Sequence, residues 1–198
     1  MVRTYYLKWN SDILYSDVEK YEILLSKQRR EKVHKYLQES DKITSILGGL
    51  LIQRGLDKER VEFYFNSHGK PKARQSNLEF NLSHSGNHLL CSVSNEGAIG
   101  VDIERKREAP LPLMKRYFHP EEIEYVDGKK KFFEIWTKKE AYVKMTGEGL
   151  TKELSGINTF RIPAFFQTEE TKETIYTLCM RKEPKEMVFV EVKLEDLI

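Results

Sequence analysis

The order of apolar and polar positions divides the chain into segments of two periods. Over residues 2–9, Tyr5, Leu7 and Trp9 alternate with Tyr6 and Lys8, which predicts a first strand. From about 16 to 56 the period becomes helical: Val33, Tyr36 and Leu37, then Ile43, Ile46, Leu47, Leu50 and Leu51, recur three or four apart, which fits two or three helices. Gly48-Gly49 inside the last of these weakens it and points to close packing or close ligand approach. A polar loop follows at 67–77. Three short strands are then expected at 78–82, 88–94 and 99–104, with a turn at Asn95-Glu96-Gly97. Residues 105–112 read as a charged, proline-bearing loop. His119-Pro120-Glu121-Glu122 has the form of a helix start. Residues 130–145 read as a strong helix with Phe132, Phe133, Trp136, Ala141 and Val143 on its apolar stripe, ended by Gly147 and Gly149. The rest alternates again, and 157–166, 174–181 and 187–194 are expected to form an antiparallel meander. Each half therefore carries helices plus about three strands. The division falls near Gly97, giving units 1–97 and 98–198 without a long flexible linker.

Composition narrows the classes. Of 198 residues, 39% are hydrophobic, too many for a disordered chain. No apolar run approaches the ~20 residues of a membrane span, and the first ten residues lack the apolar core of a secretory signal. The balance of 33 Lys and Arg against 31 Asp and Glu lacks the basic excess expected of a nucleic-acid binder. Cys91 and Cys179 are too few for a disulfide framework or a four-ligand zinc site, and both lie in apolar stretches. They read as buried thiols of a cytoplasmic protein.

Four groups of residues can carry chemistry. In Gly100-Val101-Asp102-Ile103-Glu104, strand alternation puts Asp102 and Glu104 on one face, where a hard cation such as Mg²⁺ would relieve their repulsion; solvated acids are the plainer alternative. In the helix around Trp136, Glu140 and Lys144 share a face with Thr137, either as a surface ion pair or as part of a site. Ser83-His84-Ser85-Gly86 reads as the break after a strand that sends Phe80 and Leu82 inward. Its hydroxyls, imidazole and free amides suit a phosphate better than a Ser-His nucleophile pair. Arg29, Arg30, Lys32, Lys35, Lys42, Lys70 and Lys72 are either solvated or converge on a phosphorylated ligand. Together these amount to equipment for a nucleotide-like diphosphate.

The order Phe80-Asn81-Leu82-Ser83-His84-Ser85-Gly86, then Ile99–Glu104, then Phe118 to Glu122, then Trp136-Thr137-Lys138-Lys139-Glu140-Ala141-Tyr142-Val143-Lys144, resembles the phosphopantetheinyl transferases of the surfactin-synthetase type. Arg30-Glu31-Lys32 and Gly69-Lys70-Pro71 fit as well, and the resemblance covers roughly residues 1–165. It implies an α+β fold of two similar subdomains related by pseudo-twofold symmetry, each a small antiparallel sheet packed with helices, with a cleft between them and a monomer as the working unit. It implies transfer of the phosphopantetheine arm of coenzyme A to a serine of an apo carrier protein, with Mg²⁺, releasing adenosine 3′,5′-bisphosphate. Asp102, Glu104 and Glu140 are then the metal carboxylates. Lys144 is the cation beside the pyrophosphate, Ser83 and His84 are phosphate contacts, and Lys32, Ser45 and Lys70 bind the nucleotide end. Glu122 is a further acid at the site. Thr44 stands where family members commonly carry Arg. The alternatives are an Mg²⁺-dependent hydrolase of a nucleotide diphosphate and a non-catalytic module that binds coenzyme A or a carrier. A docking surface for an acidic carrier helix is expected at 105–117, around Leu111, Leu113 and Met114, with Lys129, Lys130 and Lys131 nearby.

Overall fold

A computed structural model describes residues 1–149 and 154–197. The strands are β1 (Val2–Lys8), β2 (Phe63–Phe65), β3 (Pro71–Ala73), β4 (Glu79–Ser85), β5 (His88–Ser94), β6 (Ile99–Arg105), β7 (Phe165–Glu170), β8 (Thr174–Met180) and β9 (Met187–Val192). The helices are α1 (Tyr15–Val18), α2 (Lys27–Lys35), α3 (Glu39–Leu56), α4 (Met114–Tyr117), α5 (Pro120–Tyr125) and α6 (Lys129–Thr146). The class is α+β, with small sheets packed against helices. No helix among the described residues is long and apolar enough to cross a membrane.

The two halves repeat one plan. In the first, β1 is followed by α3 and then by the β4–β5 hairpin, whose second strand lies between the other two. In the second, β6 is followed by α6 and then by the β7–β8 hairpin, again with the last strand in the middle. All pairings within these units are antiparallel. β9 departs from the expected meander. Instead of extending β7–β8, it crosses to the first sheet and runs parallel to β1, Val2 opposite Met187 and Leu7 opposite Val192. Its exposed apolar residues explain the choice: the Phe189 ring stacks between Tyr6 of β1 and Tyr176 of β8, at centroid distances of 6.1 and 5.7 Å. The loop at 67–77 is also more ordered than its composition indicates, since β3 pairs with β2.

Strand alternation builds two cores from one strand. Tyr5, Leu7 and Trp9 pack with Ile46, Leu47 and Leu51 of α3, while Val2 and Tyr6 turn to the other side and meet Val101, Ile103, Leu178 and Met180 of the second sheet. The second layer joins the halves by burying side chains from both sheets. On α6, Phe132, Phe133, Ile135, Ala141, Val143 and Met145 are buried as the helical period demands, and Gly147 ends the helix at φ 70°.

Two glycine positions set how closely layers approach. Over Gly48-Gly49 lies the Arg29 side chain, whose guanidinium donates to the Ser45 carbonyl at 2.9 and 3.2 Å, so this pair serves packing of α2 on α3. At Gly100 a Cβ would lie 2.0 Å from the Ala141 carbonyl oxygen and 2.3 Å from the Met145 nitrogen. β6 and α6 therefore touch backbone to backbone. Gly100→Ala is expected to cost about 3 kcal/mol in urea unfolding, because rigid backbone must move. Gly128→Ala, where a Cβ meets nothing within 4 Å, should stay within about 0.5 kcal/mol of the parent. Equal losses for the two variants would contradict this reading of the β6–α6 contact.

Candidate active site

The first contribution comes from β6. Its Val101 and Ile103 are buried in the inter-sheet core, so Asp102 and Glu104 both face the other way, toward α6 and β4. The close approach at Gly100 brings Glu140 and Lys144 of α6 onto them. Lys144 Nζ lies 2.6 Å from Asp102 Oδ1 and 2.9 Å from Ser83 Oγ. Ser83 Oγ donates to Asp102 Oδ1 at 2.9 Å. Ser85 Oγ donates to Glu104 Oε2 at 3.1 Å, and Arg107 holds the same oxygen at 3.1 Å.

The electrostatics are uneven. Burial, followed by the charge of Asp102, pushes the Glu104 carboxyl above the usual carboxylate range. The same two causes, in that order, push Glu140 up; Glu104 adds to them and Lys144 partly offsets them. Asp102 Oδ2 is buried and has no hydrogen-bond partner among the described residues. Three mutually repelling carboxylates thus face Lys144 and Arg107 and keep one orphaned oxygen, a donor set that suits a hard cation. Among the described residues no three acids, histidines or cysteines are already drawn into a metal-binding group; Lys144 and Arg107 supply the positive charge.

Two cavities flank the cluster. One, of about 300 Å³, is lined by Lys70, Asn81, Glu140, Lys144 and Gly147. The other, of about 380 Å³, is lined by Trp9, Asp41, Thr44, His84 and Arg105. Ser83 and His84 lie within β4, which continues to Ser85 before turning at Gly86, so the strand runs three residues beyond the expected end at Leu82. Adjacent strand positions oppose each other: Ser83 is buried against Asp102, while His84 faces the second cavity. Ser83 donates once and accepts from Lys144 and from the Ile103 amide at 3.4 Å, which uses its full hydrogen-bonding capacity and leaves nothing for a phosphate. His84 is pushed below the ordinary histidine range by burial and then by Lys144.

The 4'-phosphopantetheinyl transferase superfamily matches residues 98–193. The transferase gsp of Aneurinibacillus migulanus is 32% identical over 172 residues, covering 81% of this chain and 68% of its own length. The chain belongs to the 4'-phosphopantetheinyl transferase family. HetI of Nostoc is 41% identical over 140 residues, 64% of this chain and 58% of that protein. Sfp of Bacillus subtilis is 29% identical over 153 residues, 71% of this chain and 68% of that protein. The chain thus spans about three fifths to two thirds of the length of the relatives it matches.

Not every family-implied residue reaches the cluster. Lys70 lines the first cavity, and its ammonium donates to the Ile99 and Met145 carbonyls at 3.0 and 3.2 Å; burial lowers its pKa to about 8. Lys32 lines a separate cavity of about 130 Å³ with Arg29 and Gly69. Ser45 is buried in α3 with its hydroxyl unpartnered among the described residues, whereas its neighbour Thr44 lines the second cavity. Thr137 bonds Thr177 of β8 at 2.7 Å instead of joining Glu140. Glu122 needs the clearest correction. It is wholly buried, 2.6 Å from the equally buried Lys139, and accepts from the His119 amide and from Thr159, each at 2.8 Å. It caps α5 and anchors it to α6, and it lines neither of the two cavities beside the cluster. Ser85, expected as part of a phosphate turn, and Arg107, expected on the docking segment, instead hold Glu104, and Asn81 had no role of its own in the sequence reading, although the period-two spacing of Asn81, Ser83 and Ser85 matches that of Asp102 and Glu104.

Glu122→Ala is expected to lower unfolding stability by about 3–5 kcal/mol, because it leaves the Lys139 charge buried and unpaired. Unchanged stability with loss of activity would return Glu122 to a chemical role.

Proposed function

We propose that this member of the family transfers the phosphopantetheine arm of coenzyme A to a serine of an apo acyl or peptidyl carrier protein, releasing adenosine 3′,5′-bisphosphate. The observation that carries the reading is the meeting of Asp102, Glu104 and Glu140 with Lys144, around the unpaired Asp102 Oδ2. These carboxylates would hold Mg²⁺, which when bound neutralises diphosphate oxygens. The carrier serine oxygen forms a bond to the β-phosphorus, and the bond to the bridging oxygen breaks, its electron pair leaving with the bisphosphate. Glu140 accepts the serine proton directly or through a water. Lys144 stabilises charge growing on the leaving oxygen. His84, Lys70 and Lys32 line the cavities in which the ligand's phosphates would lie.

The cavity beside Glu140 is lined by Lys70 and Asn81 from 1–97 and by Glu140 and Lys144 from 98–198, which supports a monomer as the working unit, and the free buried thiols of Cys91 and Cys179 support a cytoplasmic location. The carrier would dock beside the cleft, where Leu111 and Leu113 are exposed. Met114 is buried, and Lys130 and Lys131 are tied to Glu170 and Asp127, so the apolar pair would contribute more than the lysines.

The test is incubation with coenzyme A, Mg²⁺ and a panel of apo carriers, followed by intact-mass measurement. The expected product is a carrier heavier by one phosphopantetheine. Breakdown of coenzyme A without a carrier would indicate a hydrolase, and binding without turnover a non-catalytic module. Glu140→Gln should abolish transfer yet leave the metal-free protein as stable as the parent or more so at pH 7. The sign follows from the raised folded-state pKa: the contribution of a raised carboxyl is present at low pH and lost as pH rises through that value. Lys144→Ala should slow turnover far more than it weakens coenzyme A binding. A parental transfer rate in Glu140→Gln would contradict the assignment.

A further inference from the structure

Asn81 and Ser85 lie on the same face of β4 as Ser83, and the proposed chemistry uses neither. All three end on β6. The Val101 amide donates to Asn81 Oδ1 at 2.8 Å, the Ile103 amide to Ser83 Oγ at 3.4 Å and the Arg105 amide to Ser85 Oγ at 3.0 Å. These spacings run in the same direction on both strands, so β4 lies parallel to β6 and satisfies every second amide of its free edge through side chains.

Within this seam Ser85 has a second task. Its hydroxyl accepts from Arg105 and donates to Glu104 Oε2, one small group joining the strand edge to a carboxylate of the site. The same Oε2 is gripped by Arg107, which is 55% exposed and belongs to the loop beyond β6. Glu104 sits one residue before the strand ends and is repelled by Asp102. Repulsion and the Arg107 contact both draw its carboxylate outward, and Ser85 opposes them from the buried side. Gly86 lets the hairpin close over this corner, since a Cβ there would lie 2.5 Å from Arg105 Cδ.

We propose that Ser85 is a positioning residue, which holds Glu104 facing Asp102 and Glu140 so that the three carboxylates take one divalent cation. This rests on the transferase reading. Alanine removes both hydrogen bonds, whereas threonine keeps the hydroxyl and suits a strand.

The experiment compares parent, Ser85→Ala, Ser85→Thr and Asn81→Ala in two assays: Mg²⁺ dependence of carrier modification, and Mn²⁺ binding by electron paramagnetic resonance without carrier. Ser85→Ala should weaken both by about tenfold, the usual effect of losing a group that orients a metal ligand, with coenzyme A affinity unchanged. Ser85→Thr should restore parental values. Asn81→Ala loosens the same edge without touching Glu104, so it should lower stability and leave Mn²⁺ binding without carrier alone. Parental Mn²⁺ binding in Ser85→Ala would overturn the proposal, as would an equal shift in Asn81→Ala. A parent that binds Mn²⁺ but transfers nothing would instead overturn the transferase reading, and the Mn²⁺ titration would still decide the role of Ser85. Should Ser85→Ala fail to fold, Ser85→Cys, with a weak donor at the same place, undergoes the same titration.

Discussion

The free edge of β6 is the constraint on which the rest of this structure depends. Buried amides must find acceptors, and among the described residues β6 has a strand partner on one side only. Its counterpart in the first half, β1, meets the same need by pairing with β9. β6 meets it with Asn81, Ser83 and Ser85 of β4. Side-chain acceptors hold the strands farther apart than a backbone ladder would, and they place hydroxyls where Asp102 and Glu104 emerge. The bare backbone of Gly100 then lets α6 press close enough for Lys144 to reach Asp102. Fold and site share one seam.

The seam also collects charge that the isolated protein does not fully balance. Three acids face two close cations, Lys144 and Arg107, and burial with mutual repulsion raises Glu104 and Glu140 above their usual range. A site built for tight folding alone would have alternated signs, as the buried Glu122–Lys139 pair does within the same half. The contrast separates the two acids implied for one site: Glu122 has a full set of partners, whereas Asp102 keeps an oxygen without one. Local imbalance of this kind is what a ligand-binding centre retains at some cost to stability.

Much of this was legible in the sequence. Strand alternation placed Asp102 with Glu104, helical spacing placed Glu140 with Lys144, and periodicity gave the succession β1, α3, β4, β5 and then β6, α6, β8, whereas the strand expected at 157–166 starts only at Phe165. The unread parts share a cause: they depend on contacts far apart in the chain. The path of β9 is set by Tyr6 and Tyr176, whose rings flank Phe189. The saturation of Ser83 and the burial of Glu122 depend on partners 19 to 61 and 17 to 37 positions away. A motif match names such residues without revealing which atoms are already engaged.

The most direct measurement of the central claim is residue-resolved amide hydrogen exchange on the ligand-free protein. If β4 side chains cap the edge of β6, the Val101, Ile103 and Arg105 amides exchange as slowly as core amides of β5 and β8. Exchange of these three at the rate of an open strand edge, with the β6–β8 ladder still protected, would contradict the account.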